Sequence, residues 1–176
     1  MKPLFDLDYG LERTATSVEV VGKSVAYGYG DSNALMKWIE STNKNQIDKA
    51  LGIKDVPKYP LIWLVEGWEG FKVVSGFEFR KVVFHIAVNS NIPDLNQNRI
   101  PQFEFLYQVA NQFIDKMQWS GIKILPGLKY TKRANFSVVS RGVDSGKSHT
   151  IDIWDTLIIQ SDLLINVNCI KKLCGA

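Results

Sequence analysis

The chain contains few of the residues that metal sites and disulfide scaffolds depend on. Its 176 residues include only two cysteines, Cys169 and Cys174, and two histidines, His85 and His149. Two neighbouring cysteines cannot staple a secreted fold, so we expect a reducing compartment. A four-ligand zinc set would have to recruit scattered carboxylates, and we predict no metal site.

Long apolar runs are also missing. No uninterrupted apolar stretch approaches the roughly 20 residues that a membrane-spanning helix requires. The N-terminus carries Asp6 and Asp8 where a signal peptide has a continuous apolar stretch. We therefore expect a soluble protein with no membrane partner.

No complete catalytic or nucleotide-binding motif is present. Gly22-Lys23-Ser24 and Gly146-Lys147-Ser148 imitate a phosphate-binding loop. That loop needs a glycine five residues earlier, and those positions hold Ser17 and Arg141. We assign both stretches to turns and predict no cofactor, no catalytic residue and no enzymatic activity. An enzyme whose site is built from distant residues remains a third interpretation.

The charge is nearly balanced, with 21 basic and 18 acidic residues and a net charge of +3. Basic residues are concentrated between Lys123 and Lys147, where the only acid is Asp144. We favour a solvated loop for this segment, with Phe136 entering the core. The alternative is a small nucleic-acid-binding module that uses the basic 123–147 segment, because cations beside aromatic rings attract phosphates and stack on bases.

Hydrophobic periodicity predicts the helices. Asp31 or Ser32 caps a helix from about Asn33 to Thr42, and a second short helix follows from Gln46 to Leu51. The longest helix runs from Phe103 to Met117, with Pro101 in its first turn and its end near Ser120-Gly121.

Hydrophobic patterning predicts the strands, by alternation in the closing strand and by apolar residues on both faces in the central strand. The predicted segments are a hairpin over Ser17–Tyr29, a strand over Leu61–Val65, a central strand over Phe77–Val88, short strands or loops at 122–125, 129–136 and 148–153, and a closing strand over Leu157–Asn168. Asp152 and Asp155 lie before the closing strand. We favour a capped turn for this pair, with acid–base work as the alternative.

These elements predict one α+β domain over residues 1–176, with residues 1–15 as a candidate extended arm. Its mainly antiparallel sheet has about four to six strands, packed against one long helix and one or two shorter helices. Trp68 lies in the turn Glu66-Gly-Trp-Glu-Gly70. It either forms an interface or folds back over the sheet.

The order of these segments resembles that of bacteriophage neck and tail-terminator proteins, in particular small virion proteins of phages of Bacteroides-like hosts. The resemblance rests on Val25-Ala-Tyr-Gly-Tyr-Gly-Asp31 before a helix, Lys58-Tyr-Pro-Leu-Ile-Trp-Leu64, the helix Phe103–Met117, and Asp152-Ile-Trp-Asp155 leading into Leu157–Cys169. The longer 126–150 segment departs from that family.

The resemblance implies a tail-terminator-like subunit with helices on one side of its sheet. It also implies a ring of about six or twelve copies at the head–tail junction, because closed symmetry leaves no sheet edge free. The implied partners are further copies, neighbouring neck, portal or tail proteins, and DNA in the lumen, and the implied location is the virion, assembled in the bacterial cytoplasm. The candidate interface residues are Phe5, Tyr9, Trp68, Glu69, Tyr130, Lys132, Arg133 and Arg141.

Overall fold

The computed structural model describes residues 7–50, 58–65, 72–90, 99–141 and 148–166. Within these ranges the helices are α1 (Leu7–Thr16), α2 (Ser32–Ala50) and α3 (Ile100–Trp119). A small hairpin is formed by β1 (Glu19–Val20) and β2 (Lys23–Ser24). The main sheet contains β3 (Ala26–Gly30), β4 (Leu61–Val65), β5 (Lys72–Val74), β6 (Phe77–Asn89), β7 (Ile122–Ile124), β8 (Lys129–Arg141) and β9 (Ser148–Asn166).

Two long strands form the centre of the main sheet. β6 and β9 pair antiparallel over their shared length, from Phe77 opposite Asn166 to Asn89 opposite Trp154. β4 and β5 pair with the other side of β6, and β7 and β8 pair with the other side of β9. Among the described strands only β3 and β4 are parallel. The predicted class, α+β with a mainly antiparallel sheet, is confirmed.

The first face of the sheet carries the larger core. Val82, Phe84 and Ile86 alternate along β6 and are buried against α3. The rings of Phe84 and Phe113 meet edge to face, with 5.4 Å between their centroids. The buried stripe of α3 contains Leu106, Val109, Ala110, Phe113 and Met117. This spacing places one helix face on the sheet, as the sequence predicts.

The second face is covered by α2 at the β3–β4 side. Ile39 packs with Leu61 and Trp63, which alternate with the first-face residues of β4. The Asp31 carboxylate accepts a hydrogen bond from the Ala34 N–H at 2.8 Å, which confirms the predicted N-cap. α2 continues to Ala50 as one helix because no glycine or proline interrupts the residues between the two predicted pieces.

Four expectations are wrong. Residues 7–15 belong to helix α1 and not to an extended arm, because Leu11 and Ala15 lie one turn apart and are both fully buried. The helices lie on both faces, and not on one side. The described part of the 123–147 segment forms mostly strands β7 and β8 and not a solvated loop. The turn predicted at Asp152–Asp155 is absent, because the 148–153 segment and the closing strand form the single strand β9.

Gly28 makes room for the indole of Trp63, its register partner on β4. A Cβ at position 28 would lie 2.4 Å from Cζ3 and 2.7 Å from Cε3 of that ring. The indole N–H also donates to the Gly30 carbonyl at 3.3 Å, which holds the ring over β3. Because the ring cannot move away cheaply, Gly28→Ala is expected to lower the free energy of unfolding by about 1–3 kcal/mol in urea denaturation.

A compensating variant tests the cause of that loss. Trp63→Phe removes the ring atoms that the added methyl group would meet, so the double variant should lose less stability than the sum of the two single changes. Strict additivity of the two losses would show that the contact is not their origin.

Candidate functional site

Among the described residues, no helix covers the half of the second face that lies beyond α2. Residues opposite one another in an antiparallel register point to the same face, so the pairing assigns each side chain. We call this surface the open face. Its members are Val74 of β5, Phe77, Phe79, Lys81 and Val83 of β6, Ile158, Gln160, Asp162, Leu164 and Asn166 of β9, Lys123 of β7, and Lys129, Thr131 and Arg133 of β8.

One end of the open face is apolar. Phe77 and Phe79 are each 39% exposed, and Val74, opposite Phe77 on β5, is 44% exposed. Leu164, opposite Phe79 on β9, is half-buried beside them. The β5–β6 hairpin that carries three of these residues turns through Ser75 and Gly76, both at positive φ, as a two-residue hairpin turn requires. We call Val74, Phe77, Phe79 and Leu164 the apolar cluster.

The charged residues of the open face are mostly basic, and one of them, Lys123, lies opposite Leu164 beside the apolar cluster. Lys81, Lys123, Lys129 and Arg133 are all exposed, and Asp162, opposite Lys81, is the acid among the open-face residues. Lys129 and Arg133 lie four residues apart on β8 and point to the same side, so their Cα atoms are about 13 Å apart.

An aromatic cavity of about 180 Å³ opens between the basic end of the open face and the N-terminus of α2. Its walls are Gly30, Asp31, Ser32, Leu35, Trp63, Val65, His85, Phe136, Ser137, Val138 and Trp154. The rings of His85, Phe136 and Trp154 form a cluster, with centroid separations of 5.4 to 6.3 Å.

His85 is the histidine of this cavity. Burial, together with the nearby charge of Arg133, lowers the pKa of the imidazole to about 4. The ring is therefore neutral at pH 7, and its Nδ1 is buried without a hydrogen-bond partner. His85 is thus a packed residue of strand β6.

A hydrogen-bonded chain fixes Trp154. Its indole N–H donates to the Tyr59 hydroxyl oxygen at 2.6 Å, and that hydroxyl donates to the Asp152 carboxylate. Lys58 completes the chain, with its ammonium 2.6 Å from Asp152 Oδ2. Burial and the neighbouring carboxylate raise the pKa of Tyr59, so the phenol stays protonated as a donor. Asp152 therefore accepts a hydrogen bond from Tyr59 and forms an ion pair with Lys58, instead of capping the predicted turn.

A bulge in β8 separates Arg133 on the open face from Phe136 in the cavity wall. The bulge contains Asn135, a non-glycine residue with φ of 50°. The Asn135 N–H donates to Asp155 Oδ1 at 3.0 Å, and its side-chain oxygen accepts from Ser90 Oγ and Arg99 Nη2, both at 2.9 Å. Asp155 is fully buried and so anchors the bulge from β9.

Three of the predicted interface residues are described with their side chains. Tyr130 is 40% exposed and lies on the first face, with its ring centroid 6.1 Å from that of Tyr107. The Lys132 ammonium lies 5.0 Å from the same Tyr107 ring. Arg133 alone of the three lies on the open face. The basic segment is thus divided between two faces.

The other predicted interface residues are not placed with side chains. Phe5, Trp68 and Glu69 lie outside the described residues. Tyr9 belongs to α1 and Arg141 ends β8, and only their backbone is described. The two readings of Trp68 therefore both remain predictions.

Sequence reasoning missed most of the cavity and the apolar cluster. Trp63 and Phe77 were predicted as strand residues, which they are, whereas Trp154 lay in the predicted turn. Alternation also does not say which apolar residue a helix will cover. The sequence of β6 did indicate an exposed apolar surface. Its apolar residues lie on both faces, so the strand is either covered on both sides or leaves apolar side chains exposed on one side.

In the described ranges, no helix is long and apolar enough to cross a membrane. The same residues contain no group of three or more histidine, cysteine, aspartate or glutamate side chains placed to hold a metal ion. No protein-family model matches the chain, and no curated protein sequence matches it.

Proposed function

We propose that the protein is a non-enzymatic structural subunit of a bacteriophage virion, which forms a ring at the head–tail junction as a neck, connector or tail-terminator component. The observation that carries the assembly part of this proposal is the apolar cluster. Large apolar side chains are costly to leave in water, and a contiguous group on a strand face is typical of a surface that a partner covers. The virion assignment is supported by the resemblance of the segment order.

The proposed occupant of the apolar cluster is a second copy of this chain. A head-to-tail contact uses two different surfaces of each subunit, and such contacts close into rings. The second surface that we propose is the β8 edge, where Tyr130 is exposed beside Tyr107. Within the described residues no strand pairs with the outer side of β8. Its lysines and its bulge disfavour uncontrolled strand addition there, so contact through side chains is the favoured mode.

Light scattering and electron microscopy test the assembly. The protein alone, or with its neighbouring virion proteins, is expected to form rings, and Phe77→Ser with Phe79→Ser is expected to give monomers. Both side chains are partly exposed, so the variant should keep most of its unfolding free energy. Ile153→Ser is the matched control because Ile153 is 40% exposed on β9 away from the cluster. It should assemble normally.

Two results would contradict the proposal. One is a wild-type protein that stays monomeric at all concentrations, both alone and with its neighbours. The other is a double serine variant that forms rings as well as the control does. Labelled antibody that finds the protein elsewhere in the virion would contradict only the head–tail assignment.

A further inference from the structure

The basic part of the open face and the aromatic cavity lie next to each other, and the Proposed function uses neither. Arg133 links them, because it stands on the open face and its charge acts on His85 in the cavity wall. Four cations face one acid across this surface, so its complement is an anionic partner. Lys81, Lys123, Lys129 and Arg133 project from three different strands and form a field, not a single ion pair.

The cavity has the size and walls for one planar ring. Its volume of about 180 Å³ exceeds the roughly 150 Å³ that is known to hold a benzene molecule. Phe136, which is half-buried, supplies aromatic surface, and the buried rings of Trp63 and Trp154 complete the wall. Asp31 and Ser32, which are exposed residues of the cavity wall, supply polar atoms for hydrogen bonding. A nucleobase carries both an aromatic face and polar edge atoms, so it can use both features.

We infer that the basic part of the open face binds a single-stranded polynucleotide, with its phosphates along the cations of β6, β7 and β8 and one base in the aromatic cavity. Lys129 and Arg133 are about 13 Å apart, so they contact phosphates that are not adjacent. The stretch of polynucleotide between these two phosphates passes the mouth of the cavity. DNA and RNA share this chemistry, and the experiment distinguishes them.

Two other occupants fit less well. A second copy bound face to face would bring the same cations together, which like-charge repulsion opposes. Duplex DNA would satisfy the cations, but its stacked bases cannot enter the cavity without being flipped out. The preference for unpaired bases is therefore the property that separates this inference from general attraction to phosphate.

Fluorescence anisotropy with labelled oligo(dT), oligo(rU), a duplex and an abasic oligonucleotide tests the inference at 50 and 200 mM salt. We expect both single strands to bind the wild-type protein at least tenfold more tightly than the duplex or the abasic strand. The ratio between oligo(dT) and oligo(rU) identifies the preferred sugar. Absence of binding to either single strand at 50 mM salt overturns the inference, and so does equal affinity for the duplex.

Charge variants locate the site. Lys129→Glu with Arg133→Glu is expected to weaken binding of oligo(dT) at least tenfold and to reduce the slope of log affinity against log salt by about 1.4, the value for two lost phosphate contacts. Arg13→Glu with Lys37→Glu makes the same change in net charge at exposed positions on α1 and α2. An equal loss in this control would show that overall charge, and not the open face, attracts the strand.

A filled cavity tests the base site. Val65 lines the cavity, and Val65→Phe is expected to lower affinity for oligo(dT) about tenfold while leaving the abasic strand unchanged. Val21→Phe, in the exposed β1–β2 turn, makes the same substitution away from the cavity and should change neither affinity. Equal affinity of wild type and Val65→Phe for oligo(dT), with Val65→Phe folded by its unfolding midpoint, overturns the base site. Ring formation is measured on the same samples, so loss of assembly and loss of binding are separate results.

Discussion

Trp154→Ala is expected to lower the free energy of unfolding by about 3–5 kcal/mol, the usual cost of truncating a buried tryptophan. The indole is fully buried and is among the largest fully buried side chains described. It touches the Tyr59, His85 and Phe136 rings, so the space it leaves cannot be closed by one neighbour. The substitution also removes the donor to the Tyr59 hydroxyl. Urea denaturation at pH 7 measures the change.

Trp154→Phe separates packing from hydrogen bonding. It keeps a ring in the site but removes the N–H and part of the volume, so we expect a smaller loss of about 1–2 kcal/mol. If Trp154→Ala does not fold, the unfolding free energy of Trp154→Phe still measures the contribution of the indole. A cost below about 1 kcal/mol for Trp154→Ala would show that the indole is not the centre of the second-face core.

Acidification is expected to remove about 3 kcal/mol of stability through His85 alone, which follows from the difference between its folded and unfolded pKa values. The pKa is about 4 in the folded protein and 6.5 for an ordinary histidine. Above pH 6.5 the ring is neutral in both states, and the contribution is complete. As the pH falls, the unfolded chain takes up the proton first. Stability is therefore lost between pH 6.5 and 4.

The free energy of unfolding is measured at several values between pH 4 and pH 8, and its slope against pH is compared between variants. His85→Gln cannot titrate, so its curve should be flatter than that of the wild type between pH 6.5 and 4, whatever its absolute stability. Arg133→Gln removes the smaller cause of the shift and leaves burial, so it should flatten the curve only slightly. Asp31 also lines the cavity, but it is present in both proteins and so does not distinguish the two curves. Identical slopes for wild type and His85→Gln would contradict the shifted pKa.

The sequence predicted the elements whose signals are local. α3 was predictable because its apolar residues repeat along one helix face and Pro101 fits its first turn. The start of α2 was predictable from Asp31, β6 from its apolar residues on both faces, and the closing part of β9 from its alternation. The helix α1 was missed although Leu11 and Ala15 are one turn apart, because so short a stripe looks like scattered apolar residues.

Part of the predicted surface was found for the right chemical reason but in the wrong arrangement. A cationic and aromatic 123–147 segment was visible, yet Tyr130 and Lys132 face α3 while Lys129 and Arg133 occupy the open face. Strand alternation sends neighbouring residues to opposite sides. A run of basic residues in sequence therefore does not become one basic patch unless the strand register places it there.

By itself, then, the chain determined most of its helices and strands, since propensity, capping and periodicity act over a few residues. Only the tertiary structure decided that Lys81 would join Lys129 and Arg133, that Phe77 and Phe79 would stay exposed, and that Trp63, His85 and Trp154 would enclose one cavity. Those residues come from strands far apart in sequence. Their meeting depends on strand order and on how far α2 reaches over the sheet, and no local pattern encodes either.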